Sequence, residues 1–188
     1  MVKSVGVSNY GADAVSAVSK SLAARGIPLA TNQIQYSLLY PNANSNGLKQ
    51  RCDDLGVRVL AYSPLGLGLL SGKYNKDRLP EGPRASLATA FFAQDAADRL
   101  VAAVRTVAEK HGGTPSQVAI NWCVAKGTVP IPGARTIQQA RDNLGALKWK
   151  LDADDLRLLD SASSDIAPLA SSPFPKTDIN TGLTMFDS

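Results

Sequence analysis

The chain has 188 residues, of which 44% are hydrophobic and 19% are charged, a balance that is typical of a globular protein with one substantial core and excludes a largely disordered chain. No apolar run approaches the roughly 20 residues that a membrane-spanning helix needs, so we expect no membrane partner. The formal charge of +4 comes from scattered Lys and Arg residues, and because they form no basic stripe with interleaved aromatic residues we expect no nucleic-acid partner.

The first third of the chain predicts three strands separated by two helices. Residues 5–7 form a short β-rich run, and residues 13–24 follow with apolar side chains at helical spacing before Gly26 ends the helix. The next strand, helix and strand are predicted over 29–34, 46–55 and 57–62.

The rest of the chain predicts a long loop, four helices and one strand. The Gly and Pro content of residues 67–88 predicts irregular structure. Thr114 and Pro115 indicate a capped helix start, because threonine is a common N-cap and proline is common at the first helical position. The predicted helices are 96–110, 116–126, 137–146 and 152–161, and the fourth strand is 128–131. We expect a partial barrel domain over 1–161 and an irregular tail, rich in Ser and Pro, over 162–188.

The alternation of strands and helices predicts an α/β fold with a parallel sheet. No Gly-x-Gly-x-x-Gly sequence follows the first strand, which argues against a doubly wound dinucleotide-binding fold and favours a (β/α)8 barrel. A complete barrel has eight strands and takes about 250 residues. The four predicted strands therefore indicate half of such a barrel.

The cysteines and the single histidine predict little chemistry. Cys52 and Cys123 are too few for a disulfide framework or a cysteine zinc site, so we expect reduced thiols and no metal. His111 stands where a helix ends, which predicts a solvated last-turn side chain rather than a catalytic base. The first residues contain no leader-like segment, and we expect a soluble intracellular protein.

Polar residues follow the four predicted strands, and the carboxyl ends of parallel strands are where functional groups collect. These corners are residues 8–9, 32–33, 62–65 and 132–135. Asn and Gln amides match the donor and acceptor of a carboxamide, and a Tyr ring offers a stacking face, which suits a nicotinamide. At the fourth corner, Gly133 permits close backbone approach and Arg135 can bind a phosphate with two parallel hydrogen bonds. Taken singly, each corner can also be explained as ordinary turn formation.

Four sequence blocks in chain order resemble the aldo-keto reductase family over about residues 3 to 160. The blocks are Gly-Val-Ser-Asn-Tyr at 6–10, Asn-Gln-Ile-Gln-Tyr-Ser-Leu-Leu at 32–39, Tyr-Ser-Pro-Leu-Gly at 62–66 with Ser-Gly-Lys-Tyr at 71–74, and Val-Pro-Ile-Pro-Gly-Ala-Arg at 129–135 with Asp-Asn-Leu-Gly-Ala at 142–146. The resemblance implies strands 5 to 8 of the family's barrel, its C-terminal half. Residues 79–84 and 118–123 resemble plastid-associated members of photosynthetic organisms, which implies the chloroplast or the cytoplasm.

The resemblance implies NADP(H) as the cofactor and places it along all four corners. Ser8, Asn9 and Gln33 match the family positions that hydrogen-bond the nicotinamide carboxamide, and Tyr62 matches the aromatic residue that stacks on its ring. The positions along the pyrophosphate and the closing loop are matched by Ser63, Leu65 and Lys73. The segment around the 2′-phosphate and adenine is matched by Gly133, Arg135, Gln139, Asp142 and Asn143. Arg135 is expected to select NADPH, and Gln139 stands where the family commonly has an arginine.

The resemblance also implies the reaction, which is the reduction of an aldehyde or ketone, reversible with alcohol oxidation, on a small-molecule carbonyl substrate. The family's Tyr acid and its Lys, Asp and His helpers lie on the first four strand–helix units, which have no counterpart here. The five tyrosines of this chain fall in other blocks. We therefore expect no catalytic residue in this chain.

Three interpretations stay open for the 188-residue chain. It is a truncated enzyme or gene-model fragment that is inactive alone, a nicotinamide-dinucleotide-binding or regulatory module, or a half-barrel that assembles with a partner. Four strands leave two open sheet edges, so we also expect self-association through them.

Overall fold

A computed structural model describes residues 2–167 and 169, which contain four strands and seven α-helices. The strands are β1 (Val5–Ser8), β2 (Leu29–Gln35), β3 (Arg58–Tyr62) and β4 (Val129–Ile131). The helices are α1 (Ala12–Ala23), α2 (Leu48–Asp54), α3 (Ala85–Phe92), α4 (Asp95–Lys110), α5 (Pro115–Ala125), α6 (Ile137–Gly145) and α7 (Ala153–Ser164). Short 3-10 helices lie at Asn42–Asn44, Gly66–Ser71, Gly82–Arg84 and Ala146–Lys148.

The four strands form one sheet in the order β1-β2-β3-β4. Every pairing between them is parallel, which confirms the predicted α/β class. Ser8 is in register with Gln33, and Gln35 is in register with Tyr62. Because the strands are parallel and in chain order, their carboxyl ends all lie at the same end of the sheet.

The core lies between one face of the sheet and the helices. Val59 and Ala61 of β3 are buried on that face, and α1, α2 and α5 pack against β2, β3 and β4 respectively. The Tyr36 ring, just past β2, stacks on Trp122 of α5 with 5.0 Å between ring centroids. Val118 and Trp122 of α5 are fully buried in this core.

The other face of the sheet is more open, above all toward β4. Val129 and Ile131 of β4 are 44% and 42% exposed. Helix α6 has no buried residue, and its Ile137 and Leu144 are more than half exposed, as is Leu147 just after it. We call these five apolar side chains the β4–α6 surface.

The expected loop over residues 67–88 is the main error of the sequence analysis. Two 3-10 helices, Gly66–Ser71 and Gly82–Arg84, occupy part of it, and α3 begins at Ala85. Helix α3 forms because Leu87, Ala88, Phe91 and Phe92 give it an apolar face that is buried against the core.

The C-terminal helix is longer than predicted. Helix α7 runs to Ser164, three residues past the predicted domain end, and Asp152 caps its start in a capping box with Asp155. Of the predicted tail beyond α7, only 165–167 and 169 lie within the described residues. The described helices include none that is both long and apolar enough to cross a membrane.

Candidate functional site

The structure brings Ser8, Asn9, Gln33 and Tyr62 together at the carboxyl end of the sheet. The Ser8 hydroxyl donates to the backbone carbonyl of Gln33 at 3.0 Å, and the Asn9 N–H donates to the same carbonyl at 2.8 Å. The Tyr62 hydroxyl donates to Oδ1 of Asn9 at 3.1 Å. All four predicted nicotinamide-end residues therefore line one corner, which we call the β1–β3 corner.

The hydrogen bonds inside this corner decide what its polar atoms can offer a ligand. Because Ser8 uses its proton on Gln33, its Oγ can accept a hydrogen bond through its lone pairs. Because Oδ1 of Asn9 accepts a hydrogen bond from Tyr62, Asn9 offers its Nδ2 as a hydrogen-bond donor to a ligand. An acceptor and a donor side by side complement the NH2 and C=O of a carboxamide.

Asn32, the other polar residue of the second corner, has a structural role instead. Its side chain is fully buried, and its amide clamps the backbone of Tyr10, donating to the carbonyl at 2.9 Å and accepting from the N–H at 3.4 Å. Neighbouring residues of a strand face opposite sides of the sheet, so Gln33 faces away from the helices while Asn32 faces them. These two hydrogen bonds hold the backbone of Tyr10, the residue after Asn9, in place.

Left-handed backbone marks the same end of the sheet. Within the described part of the chain, Asn9, Ser63 and Leu67 are the non-glycine residues with positive φ, at 59°, 53° and 57°. This conformation costs about 1–2 kcal/mol per residue for an L side chain, least for asparagine. Strain of this kind collects at functional sites, where the surroundings must hold it in place.

The segment after β3 carries the predicted pyrophosphate residues Ser63, Leu65 and Lys73. The carbonyl of Ser63 accepts from the Gly66 N–H at 2.9 Å, and that of Leu65 accepts from the Gly68 and Leu70 N–H groups at 3.0 and 3.2 Å. Lys73 is exposed, with its Nζ 5.4 Å from the centroid of the Tyr74 ring. The backbone thus makes tight turns beside the end of β3, and the charged Lys73 side chain lies on the exposed side of these turns.

Arg84 is a contact of this segment that the sequence analysis missed. Its Nη1 donates to the carbonyl of Leu67 at 3.1 Å. The Gly-Pro-Arg sequence at 82–84 belongs to a family-like block, and nothing in it indicates a partner 17 residues earlier.

The fourth corner is built by the start of α6. Thr136 caps the helix by accepting from the Gln139 N–H at 3.2 Å, and Oε1 of Gln139 accepts from the Arg135 N–H at 2.7 Å. The Asn143 amide reaches the Gly133 carbonyl at 3.4 Å. A side chain added at Gly133 would meet nothing within 4 Å, so its backbone is open to a ligand. The corner thus collects Gly133, Arg135, Gln139 and Asn143.

Asp142 is the predicted residue of this corner that is engaged elsewhere. Its carboxylate accepts from Gln138 at 2.9 Å, and its backbone carbonyl accepts from Nε2 of Gln117 in α5 at 2.9 Å. Asp142 therefore makes one hydrogen bond within α6 and one that links α6 to α5.

The β1–β3 corner and the fourth corner lie at the same end of the sheet, and Ser8 at the end of β1 is on the strand farthest from β4. Strands β2 and β3 separate β1 from β4, and neighbouring strands are about 4.8 Å apart, so the outer strand ends are about 14 Å apart. An extended dinucleotide is long enough to bridge this distance.

His111 and the cysteines lie away from this end. The prediction of a solvated His111 is wrong: its Nε2 is 2.7 Å from Oδ2 of Asp155, and its ring stacks on Trp149 at 4.6 Å. Cys52 and Cys123 are free and fully buried, and burial raises the pKa of both thiols.

Comparisons with known proteins find one family model and several relatives. A family model described as the aldo/keto reductase family matches residues 1–164. The chloroplastic pyridoxal reductase of Arabidopsis thaliana is 45% identical over 165 residues, which cover 88% of this chain and 45% of the plant protein. A Schizosaccharomyces pombe aldo-keto reductase with NADP(+) in its name is 31% identical over 136 residues, 69% of this chain and 40% of that protein.

A solved structure shares the fold. The crystal structure of a thermostable aldo-keto reductase with the inhibitor epalrestat superposes with a TM-score of 0.64 at 27% identity, covering 85% of this chain and 48% of that one. The chain therefore spans about half the length of the relatives that it matches.

Proposed function

Because the chain belongs to the aldo/keto reductase family, an oxidoreductase family, we propose that it forms the cofactor half of a site that reduces an aldehyde or ketone with NADPH. The observation that carries the proposal is the β1–β3 corner, where Ser8 and Asn9 present an acceptor and a donor beside each other. Those are the two groups that a nicotinamide carboxamide needs.

In this proposal β1 to β4 are strands 5 to 8 of a (β/α)8 barrel. The parallel order of the strands and the match to about half of each relative support it. So does the open face of the sheet, where β4 carries apolar side chains that a barrel interior would bury.

The residues of the β1–β3 corner hold the nicotinamide. Ser8 Oγ accepts from the carboxamide NH2, Asn9 Nδ2 donates to its oxygen, and the Gln33 amide adds a further polar contact. The Tyr62 ring, fixed by its bond to Asn9, supplies a stacking surface. Bound NADPH supplies the hydride, so the task of these residues is to fix which face of the ring is presented.

The remaining predicted residues hold the rest of the dinucleotide. Ser63, Leu65 and Lys73 lie along the pyrophosphate, where Lys73 offsets its charge. At the start of α6, Gly133 permits close approach and Arg135 pairs with the 2′-phosphate, which favours NADPH over NADH. Gln139, Asp142 and Asn143 shape the adenine end.

We assign no proton donor to this chain. Tyr36 and Tyr40 are buried, and burial raises the pKa of both, that of Tyr40 to about 12. Without a general acid the 188-residue chain alone shows no turnover, since acid catalysis contributes about 10² to 10⁴ in rate. The name of the plant relative makes pyridoxal the first aldehyde to test with the complete site, and the chloroplast the first compartment to examine.

The test is the binding of NADPH to the full 188-residue chain and to Asn9→Asp, measured by calorimetry. The aspartate keeps an oxygen for Tyr62 and removes the Nδ2 donor. We expect NADPH binding to weaken by about tenfold, the range for one hydrogen bond in a charged or buried setting.

Adenosine 2′,5′-bisphosphate, which lacks the nicotinamide, is the matched control. Its binding should be the same for the unsubstituted chain and Asn9→Asp, because the fourth corner is unchanged. If the chain binds neither ligand, or if Asn9→Asp binds NADPH as tightly as the unsubstituted chain, the proposal is wrong.

A further inference from the structure

Gln35 and Tyr40 are buried polar side chains whose polar ends have no protein partner. Gln35, the last residue of β2, is 4% exposed, and Tyr40 in the following turn is 5% exposed. Among the described residues, four buried side-chain nitrogen or oxygen atoms make no hydrogen bond, and three of them are Nε2 and Oε1 of Gln35 and the hydroxyl of Tyr40. Buried polar groups are nearly always hydrogen-bonded, so these three atoms require a partner.

The three atoms lie together, beside Tyr62. Gln35 is in register with Tyr62 on the neighbouring strand, and like Gln33 two residues earlier it faces away from the helices. After β2 the chain turns back, and the Tyr40 N–H donates to the Ser37 carbonyl at 2.9 Å. Burial raises the pKa of the Tyr40 hydroxyl to about 12, the Gln35 amide lowers it and the Tyr62 hydroxyl raises it, so the Tyr40 hydroxyl lies near both residues.

A direct hydrogen bond between Gln35 and Tyr40 cannot satisfy all three atoms. The hydroxyl lies close to the amide but outside hydrogen-bonding geometry, and a single bond would leave one end of the amide unpaired. Both side chains are almost fully buried, which favours a small occupant over a larger ligand. A buried water molecule typically makes about three hydrogen bonds to polar groups that otherwise lack a partner. The chemistry of the three atoms therefore fits one water molecule.

We propose that Gln35 and Tyr40 bind one buried water molecule beside Tyr62, and that this hydrated pair positions the Tyr62 ring in the β1–β3 corner. The Tyr62 hydroxyl is held by its bond to Asn9, and the hydrated pair supports the ring from the side of β2. The water site does not depend on the proposed function, whereas its effect on the nicotinamide end of the dinucleotide rests on that function. Gln35 and Tyr40 are thus positioning residues, which act on a ligand only through Tyr62.

The experiment detects the water by nuclear Overhauser effects between water and the side-chain amide protons of the full, isotope-labelled chain. The Gln35 amide should show the effect of a long-lived water molecule, and Gln35→Met identifies its signals. Asn121 is the matched control, because it is also 4% exposed but donates to the carbonyls of Ala146 at 3.0 Å and Trp149 at 2.8 Å. The Asn121 amide should show no such effect.

Tyr40→Phe removes one partner of the water, so the effect at Gln35 should weaken by about threefold or more. Tyr36→Phe removes the hydroxyl of another buried tyrosine, whose partner is Oδ1 of Asn44 at 2.6 Å, and should leave the effect at Gln35 unchanged. Retention of the Asn121 signals shows that each variant is folded. Absence of the effect at Gln35 in the unsubstituted chain, or an equal effect in Tyr40→Phe, overturns the inference.

A second readout tests the positioning of Tyr62. In Tyr40→Phe the nuclear Overhauser effect between the Tyr62 ring and the Asn9 side-chain amide should weaken, because the ring is held less firmly. NADPH should bind this variant about three- to tenfold more weakly, the value of one hydrogen bond, whereas adenosine 2′,5′-bisphosphate should bind as before. An equal effect on both ligands, or an unchanged contact between Tyr62 and Asn9, overturns the positioning role. If neither ligand binds while the water and the Tyr62 contact behave as expected, the proposed function fails and the water site stands.

Discussion

Arg135 is an exposed side chain that we propose selects between two cofactors. It precedes the Thr136 cap of α6, and its own N–H is occupied by Gln139, which leaves the guanidinium to reach a ligand. In Arg135→Ala we expect NADPH binding to weaken by about tenfold and NADH binding to stay unchanged. Titration with the two cofactors measures this.

Arg141, an exposed arginine on the same helix, provides the control for that prediction. Arg141→Ala should leave the preference for NADPH as it is. Equal affinity of the unsubstituted chain for NADPH and NADH would contradict the assignment of Arg135 to the 2′-phosphate.

Asp155 is a nearly buried carboxylate between α4 and α7. Burial alone would raise its pKa, but hydrogen bonds from Lys110 at 2.7 Å, the Asp152 N–H at 3.0 Å and His111 at 2.7 Å outweigh it and hold the pKa below the usual range. A depressed pKa means that the ionised group stabilises the fold above pH about 4, its value in the unfolded chain. This stabilisation is lost as the pH falls through the lower folded-state pKa.

We expect Asp155→Asn to lower the free energy of unfolding at pH 7 by about 1–3 kcal/mol, because hydrogen bonds to a charged group are lost. Toward acid pH the difference from the unsubstituted chain should shrink. Urea unfolding at pH 7, 5 and 3 measures both effects. Asp154→Asn changes the same charge in the same turn of α7 at an exposed position, and it should change the free energy by less than about 0.5 kcal/mol.

Some residue contacts could be predicted from the sequence and others could not. Ser8 and Tyr62 end β1 and β3, Asn9 follows β1, and Gln33 lies two residues before the end of β2, in register with Ser8. Parallel topology alone therefore brings the four residues toward one end of the sheet. The contacts of Arg84 with Leu67 and of His111 with Asp155 join loop or helix ends whose approach depends on packing. Periodicity in the sequence carries no information about such pairs.

Helices α5 and α6 are joined by the single side chain of Gln117. It closes the capping box with Thr114 at the start of α5, and it donates to the Asp142 carbonyl in α6. An added Cβ at Gly145 would lie 2.3 Å from its Nε2, although Gly145 has ordinary helical φ and ψ. The glycine therefore makes room for Gln117 rather than for an unusual backbone.

This arrangement predicts that Gly145→Ala depends on its background. In the unsubstituted chain, alanine at 145 gains about 1 kcal/mol in helix propensity. It also displaces the Gln117 side chain, and the loss of the Gln117 hydrogen bonds costs about as much. In Gln117→Ala the obstacle is gone, and Gly145→Ala should stabilise the chain by up to about 1 kcal/mol. A double-mutant cycle from urea unfolding measures the difference, and identical effects in both backgrounds would refute the role of Gln117.

At the level of elements, strands and capped helices were predicted within a few residues, whereas α3 was not. Strong signals were available for α5, where Thr114 and Pro115 mark the start. Helix α3 starts after Gly82 and Pro83 without a side-chain cap, and it is stable only because its apolar face is buried. The Gly and Pro residues before α3 therefore predicted a loop, because the stability of this helix depends on tertiary packing rather than on local sequence.

Over the whole molecule, the β4–α6 surface and the free edge of β1 are where we expect the 188-residue chain to associate. Val129, Ile131, Ile137, Leu144 and Leu147 are all exposed apolar side chains within residues 129–147. Pro130 has no N–H to donate, so β4 offers few backbone groups and side-chain burial should be the larger driving force. We expect dimers or larger species by size exclusion with light scattering at micromolar concentration.

Ile131→Lys should shift the chain toward the monomer, because a charge at this position opposes burial. Val124→Lys, at a comparably exposed residue of α5, is the control and should leave the size distribution unchanged. A monodisperse monomer of the unsubstituted chain at all concentrations would contradict the prediction.

The left-handed residues near the strand ends also bear on how this protein would respond to engineering. At Ser63 and Leu67 the left-handed backbone costs about 1–2 kcal/mol per residue. Glycine removes this cost, whereas its greater freedom in the unfolded chain lowers stability by only about 0.5–1 kcal/mol. A directed-evolution campaign scored only on heat resistance would therefore enrich glycine at both positions. Under the proposed function, the survivors would gain thermal tolerance while the segment after β3 became free to sample shapes that do not bind a dinucleotide. Such a campaign should therefore select for NADPH retention in every round.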